Sequence, residues 1–191
     1  MAVNIEEKKE NFINFAFIFY FLLACVSLGV PYLFGKGEEI IILFKGKKPV
    51  VIQFVVGFLI GFGLVLISRI ATKIFPVAKE LELKLAVMLG PLNIWEAGTL
   101  ALLSGFSEEL FFRITLYFFL GPVLSTIIFG LCHIGPGKAF RFWTISALFA
   151  GSLFALLVWL GYGFISVFIA HAVTNMFNLY KLGKIAKTDN N

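Results

Sequence analysis

Ser107-Glu108-Glu109-Leu110-Phe111-Phe112-Arg113 places three formal charges in seven residues, and its neighbours on both sides, 97–107 and 114–137, contain no Asp, Glu, Lys or Arg. A charge at the centre of a membrane helix costs about 2.5–3.5 kcal/mol. Charges kept at that cost mark a functional site by default. Glu109 and Arg113 stand at i,i+4, so they share one helix face and can neutralise each other. Glu108 is turned away from that face by about 100° and has no partner in its own helix. A buried ionic staple to a neighbouring helix accounts for the Glu109–Arg113 pair better than it accounts for Glu108.

The surrounding chain makes the membrane reading firm. Of 191 residues, 60% are hydrophobic and 14% charged, against about 45–50% and about 25% in ordinary globular domains. A soluble domain is excluded. With about 20 apolar residues per crossing, the composition supplies about six spans and leaves no room for a sizeable extramembrane domain. Charge-free runs, broken where Gly121-Pro122 and Gly161-Tyr162-Gly163 interrupt them, predict helices over 12–34, 50–75, 94–120, 122–135, 140–160 and 162–181. The predicted fold is an all-α polytopic bundle of about six transmembrane helices around a central intramembrane polar cavity. It forms a single domain over 1–191, with a catalytic core at about 94–181. Residues 1–93 supply two N-terminal helices and an amphipathic, interfacial linker at 77–85 that carries Lys79, Glu80, Glu82 and Lys84.

Six crossings place both termini on one side, and the loop Lys and Arg residues then divide eleven to four in favour of that side. The termini are therefore expected in the cytoplasm. The net charge of +5 is a topology and headgroup signal, and implies no nucleic-acid partner. Cys25 and Cys132 sit in apolar runs and are read as packing residues, as are most of the 24 phenylalanines. Trp95, Trp143 and Trp159 fall near predicted helix ends, where interfacial aromatics belong. The tail 184–191 is expected to fray.

Both histidines of the chain lie in apolar stretches, His133 after Phe129-Gly130-Leu131-Cys132 and His171 four residues before Asn175. His171 and Asn175, at i,i+4, point their polar ends at the same neighbour. Counted at about 1.5 Å per residue from the predicted distal ends, Glu108, His133 and His171 lie near one plane, roughly 14–18 Å deep. One unpaired carboxylate, two imidazoles and a carboxamide are the parts of a water-activating hydrolytic site. An apolar setting makes Glu108 a better general base, His133 could hold the water with it, and His171 and Asn175 could donate to a developing oxyanion. The same inventory matches a zinc site of Glu108, His133 and His171, although no His-Glu-x-x-His is present. Metal-activated and metal-free water both stay open.

Glu108-Glu109-x-x-x-Arg113, Phe129-x-x-x-His133 and His171-x-x-x-Asn175, in that order on successive apolar helices, resemble the CPBP family of intramembrane proteases, the CAAX-protease and bacteriocin-processing (Abi) group. The resemblance covers about 98–180. It implies an endopeptidase, glutamyl or metallo, in which Glu108 and His133 activate water and His171 and Asn175 stabilise the oxyanion. Glu109 and Arg113 become supporting or metal-proximal residues. The implied partners are the lipid bilayer and a peptide or protein substrate, membrane-tethered or prenylated. Ile114 stands where the family commonly has glycine, and the chain is shorter than the eight-span CAAX-processing members. Two other classes fit an integral membrane protein of this composition: a non-catalytic immunity or scaffold protein, and a proton-coupled carrier, the weaker because no repeat or paired interrupted helix is visible.

Overall fold

The computed structural model describes residues 5–188, and these are almost wholly helical. In chain order the helices are α1 (Ile5–Leu33), α2 (Gly37–Lys45), α3 (Val50–Ile74), α4 (Pro76–Leu89) and α5 (Ile94–Glu109). A π-helical segment, Leu110–Leu116, follows α5 without a break, and then come α6 (Tyr117–Leu131), α7 (Gly137–Trp159) and α8 (Phe164–Thr188). Four stretches are long and apolar enough to cross a membrane: Lys9–Leu33, Val50–Ile74, Ile94–Leu131 and Gly137–Trp159. This is an all-α bundle of an integral membrane protein.

Local sequence explains the boundaries. Asn93 accepts from the backbone N–H groups of Trp95 and Glu96, while the Glu96 carboxylate accepts from the Asn93 N–H at 2.7 Å, a capping box that starts α5. Pro76 occupies the first turn of α4, where its missing N–H costs nothing. The 38-residue stretch Ile94–Leu131 is divided at Gly121, whose φ of 79° lies in the left-handed region that glycine tolerates. Its two pieces correspond to the expected third and fourth helices. α8 is polar for a spanning helix because His171, Asn175 and Asn178 lie along it.

Each of the six expected helices has a counterpart, and three details differ. Residues 37–45, read as part of a basic loop, form α2, with Glu38 and Glu39 in its first turn and Lys45 in its last, the charge order that the helix dipole favours. The fourth helix ends at Leu131 instead of 135, so His133 stands in the turn beyond it. The tail expected to fray is helical to Thr188; 189–191 lie outside the described residues.

α8 runs through the middle, packed between α3 and α5. Small residues let the backbones approach. A Cβ on Gly61 of α3 would stand 2.6 Å from the Ala170 carbonyl oxygen of α8, and one on Gly105 of α5 would stand 3.1 Å from the Ala172 amide nitrogen. At one end of the bundle Lys9 of α1 pairs with Glu96 of α5 at 3.1 Å, and Lys181 of α8 pairs with Glu82 of α4. At the other end the 46–48 loop meets the α7–α8 turn, Lys47 N–H donating to the Gly161 carbonyl at 2.7 Å. The first and last described helices therefore open and close at the same end.

α1 runs parallel to α5 and the π segment, and their contacts keep a constant register. Tyr20 meets Glu108 and Ser27 meets Thr115, each pair 88 residues apart in the chain.

Candidate active site

The two adjacent glutamates serve different surroundings. Glu109 is fully buried, as is Arg113, and the two stand 3.4 Å apart between Oε2 and Nε. The other oxygen, Oε1, lies 2.7 Å from Nδ1 of His171, on α8. An ionised carboxylate only accepts, so Nδ1 of His171 carries the proton and Nε2 is the nitrogen left to face a ligand. Glu109 thus links the pair on its own helix to the candidate oxyanion histidine.

Arg113 lies in the π segment with no exposed surface. Its Nη atoms find no hydrogen-bond acceptor among the described residues. Instead the guanidinium carbon stands 4.4 Å from the Phe129 ring centre, 5.8 Å from Phe154 and 6.0 Å from Phe112, within the range where an aromatic quadrupole attracts a cation. Gly151 of α7 makes the room, since a Cβ there would stand 2.9 Å from Nη2. Ile114, at the position noted above, is fully buried in an apolar cluster with Ile40, Leu110 and Phe164. The extra residue per turn of a π segment, a form often found at functional sites, re-aims the side chains after Glu109 relative to those before it. Thr115 Oγ1 donates to both the Leu110 carbonyl, five residues back, and the Ser27 carbonyl of α1.

Glu108 is only half-buried and stands outside the Glu109–Arg113–His171 group. It has a partner that the sequence reading did not assign. The Tyr20 hydroxyl of α1 donates to Glu108 Oε1 at 3.0 Å, which leaves Oε2 available to a water or substrate.

His133 is half-buried, and its Nδ1 stands 2.8 Å from the Phe129 carbonyl. A carbonyl only accepts, so Nδ1 carries the proton, and in the neutral ring Nε2 is an acceptor. The ring is held by Phe129, 4.7 Å between centres, and edge-on by Trp143 at 5.1 Å. Trp143, expected as an interfacial anchor, is thus a wall of the His133 ring. Trp95 and Trp159 are exposed at helix ends, as expected.

His171 and Asn175 do face one neighbour, α5. Nδ2 of Asn175 donates to Ser104 Oγ at 2.9 Å, one turn before Glu108. Ser104 in turn lies beside the Tyr20 hydroxyl. Cys25 and Cys132 are free and exposed.

Among the described residues no group of three or more His, Cys, Asp or Glu side chains is placed to hold a metal ion, so Glu108, His133 and His171 do not form a three-ligand cluster here. One Nδ1 is committed to Glu109 and the other to a backbone carbonyl.

Residues 90–177 match the family model of type II CAAX prenyl endopeptidase Rce1-like proteins. This segment is similar to the Rce1-like family. The match agrees with the CPBP resemblance carried by the three motifs, all of which fall inside the Rce1-like segment. The family so matched is one of endopeptidases, and the long apolar helices of this chain are those of an integral membrane protein. No curated protein and no solved structure matches the chain. Tyr20, the phenol on Glu108, lies outside the Rce1-like segment.

Proposed function

We propose that this chain is an intramembrane endopeptidase that hydrolyses a peptide bond with water activated by Glu108 and His133. The observation that carries the reading is the division of labour between neighbouring glutamates. Glu109 is sealed between Arg113 and His171, whereas Glu108 is half-buried and keeps one carboxylate oxygen free.

In this mechanism a water donates one hydrogen bond to Glu108 Oε2 and another to Nε2 of His133. As its oxygen attacks the peptide carbonyl carbon, Glu108 takes the proton. The carbonyl oxygen becomes an oxyanion that accepts from Nε2–H of protonated His171 and from the Asn175 amide. The negative Glu109, hydrogen-bonded to Nδ1–H, supports that protonated form. Collapse breaks the C–N bond, and Glu108 returns its proton to the departing amine. Carboxylic acid and amine products result, and the site is restored.

The substrate class follows from the setting and the family: a peptide tethered to the membrane, a prenylated C-terminus among the candidates. The catalytic core extends over about 94–181, in a six-crossing chain with both termini cytoplasmic, the side favoured eleven to four by Lys and Arg.

Glu108→Gln tests the reading. It keeps the shape and removes the base, and is expected to abolish cleavage of a membrane-tethered reporter peptide while the protein still accumulates in the membrane. Unchanged turnover would remove Glu108 as the base.

A further inference from the structure

We propose that Tyr20, in the first helix, is a positioning residue for Glu108, so that a helix outside the Rce1-like segment completes the site. This rests on the endopeptidase reading above and adds a residue to it.

Three observations carry the proposal. First, the phenol is the only hydrogen-bond partner recorded for Glu108 among the described residues, and it engages Oε1 alone. A hydrogen bond to one oxygen restrains the carboxylate and leaves the second oxygen unengaged by Tyr20. Second, the contact is built rather than incidental. α1 lies parallel to α5 and the π segment, and a second polar contact with the same 88-residue separation, Thr115 to the Ser27 carbonyl, holds the register two turns further on. Ser27 and Thr115 are both buried. Two polar contacts at the same separation fix the sliding and rotation of α1 against α5, and so the place of the Tyr20 hydroxyl beside Glu108. Third, the phenol belongs to a wider arrangement. Ser104, one turn before Glu108 on α5 and near the Tyr20 hydroxyl, accepts from Asn175, so the candidate base and a candidate oxyanion donor are contacted on adjacent turns of α5, from α1 and from α8. The Tyr20 ring itself packs with the cluster of Ala16 and Leu100 and lies 5.2 Å from Phe19, so the hydroxyl can be removed without emptying the site.

The test is Tyr20→Phe in the full chain, assayed on a membrane-tethered peptide beside wild type and Glu108→Gln. Losing one hydrogen bond to a charged group should lower kcat by about 10- to 100-fold. KM should stay within about twofold, since no substrate contact is removed. A merely structural role would instead reduce the amount of folded protein and leave kcat per folded molecule unchanged. Infrared difference spectra give a readout independent of turnover. Tyr20→Phe should shift a carboxylate band in the wild-type background and shift none in the Glu108→Gln background. A kcat within twofold of wild type, with Glu108→Gln inactive, overturns the proposal and leaves the endopeptidase reading standing. Glu108→Gln cleaving at the wild-type rate removes the base itself, and the positioning role with it.

Discussion

Glu109 Oε1 and Nδ1 of His171 stand 2.7 Å apart across 62 residues of chain, and the same carboxylate faces Arg113 through its other oxygen. This one buried carboxylate therefore sets the protonation and the direction of a ring on another helix. Removing it leaves an arginine with no exposed surface and only the half-buried Glu108 as a neighbouring negative charge. Breaking such a buried pair from one side costs about 3–5 kcal/mol. Glu109→Ala is expected to lower the amount of folded protein and its melting temperature in detergent, and Glu109→Gln to do so less. Normal melting of Glu109→Ala would show that water already compensates Arg113.

The same geometry makes glycines on α7 and α3 unequal. At Gly151 a Cβ would meet Arg113 Nη2 and Phe129 Cδ1, each at 2.9 Å, and at Gly61 it would meet backbone of α8. Gly151→Ala and Gly61→Ala should each destabilise the protein by about 1–3 kcal/mol through overpacking. Gly63, two residues on and about 200° around α3 from Gly61, has nothing within 4 Å. Gly63→Ala should be neutral or stabilising by up to about 1 kcal/mol, the helix-propensity difference. Thermal unfolding of the three variants side by side checks the order.

Much of this arrangement is legible in the sequence, and the reasons differ by residue. Charge in an apolar run is visible without a structure, so Glu108, Glu109, Arg113, His133, His171 and Asn175 can be found from hydropathy and spacing alone. Tyr20 cannot, because in Phe15-Ala16-Phe17-Ile18-Phe19-Tyr20-Phe21 a phenol looks like one more aromatic, and its contact with Glu108 arises only from the parallel packing of α1 on α5. Trp143 hides for a similar reason, since a tryptophan near a helix end has an interfacial reading ready. The π segment has no sequence code at this level of reading. α2 did carry a signal: acids at Glu38 and Glu39 and a base at Lys45 mark a helix by its dipole, even where the net loop charge draws attention to topology.

His133 offers a test of aromatic support. Its Nδ1 is tied to the Phe129 carbonyl and its ring edge packs against Trp143. His133→Ala should lower the cleavage rate by about 10²- to 10⁴-fold, the range for a lost acid–base group. Trp143→Ala leaves the imidazole present but unsupported on one side. Its expected effect is a smaller fall in kcat with the protein still folded; a loss as large as that of His133→Ala would assign Trp143 a direct part in the chemistry.

Outside the membrane-spanning helices, Glu82 on α4 gives the bundle a dependence on pH with a definite sign. Burial by itself raises its carboxyl, but hydrogen bonds from Lys181 and Lys79 and their charges outweigh burial, and the group is held below the ordinary carboxylate range. A folded-state value below the unfolded one means that the ionised form favours folding. The contribution is fully present above the unfolded value of about 4.3 and is lost as pH falls through the lower folded value. Because Lys181 belongs to α8, protonating Glu82 loosens the hold of α4 on the helix that carries His171 and Asn175. Melting temperature in detergent should therefore decline on acidification below about pH 4, and Glu82→Gln should start lower at neutral pH and decline less. Lys181→Met should reproduce most of the neutral-pH loss, because it leaves Glu82 with Lys79 as its remaining hydrogen-bonded cation and Arg69 as a more distant charge. Parallel acid-side declines in wild type and Glu82→Gln would place the sensitivity in another carboxylate.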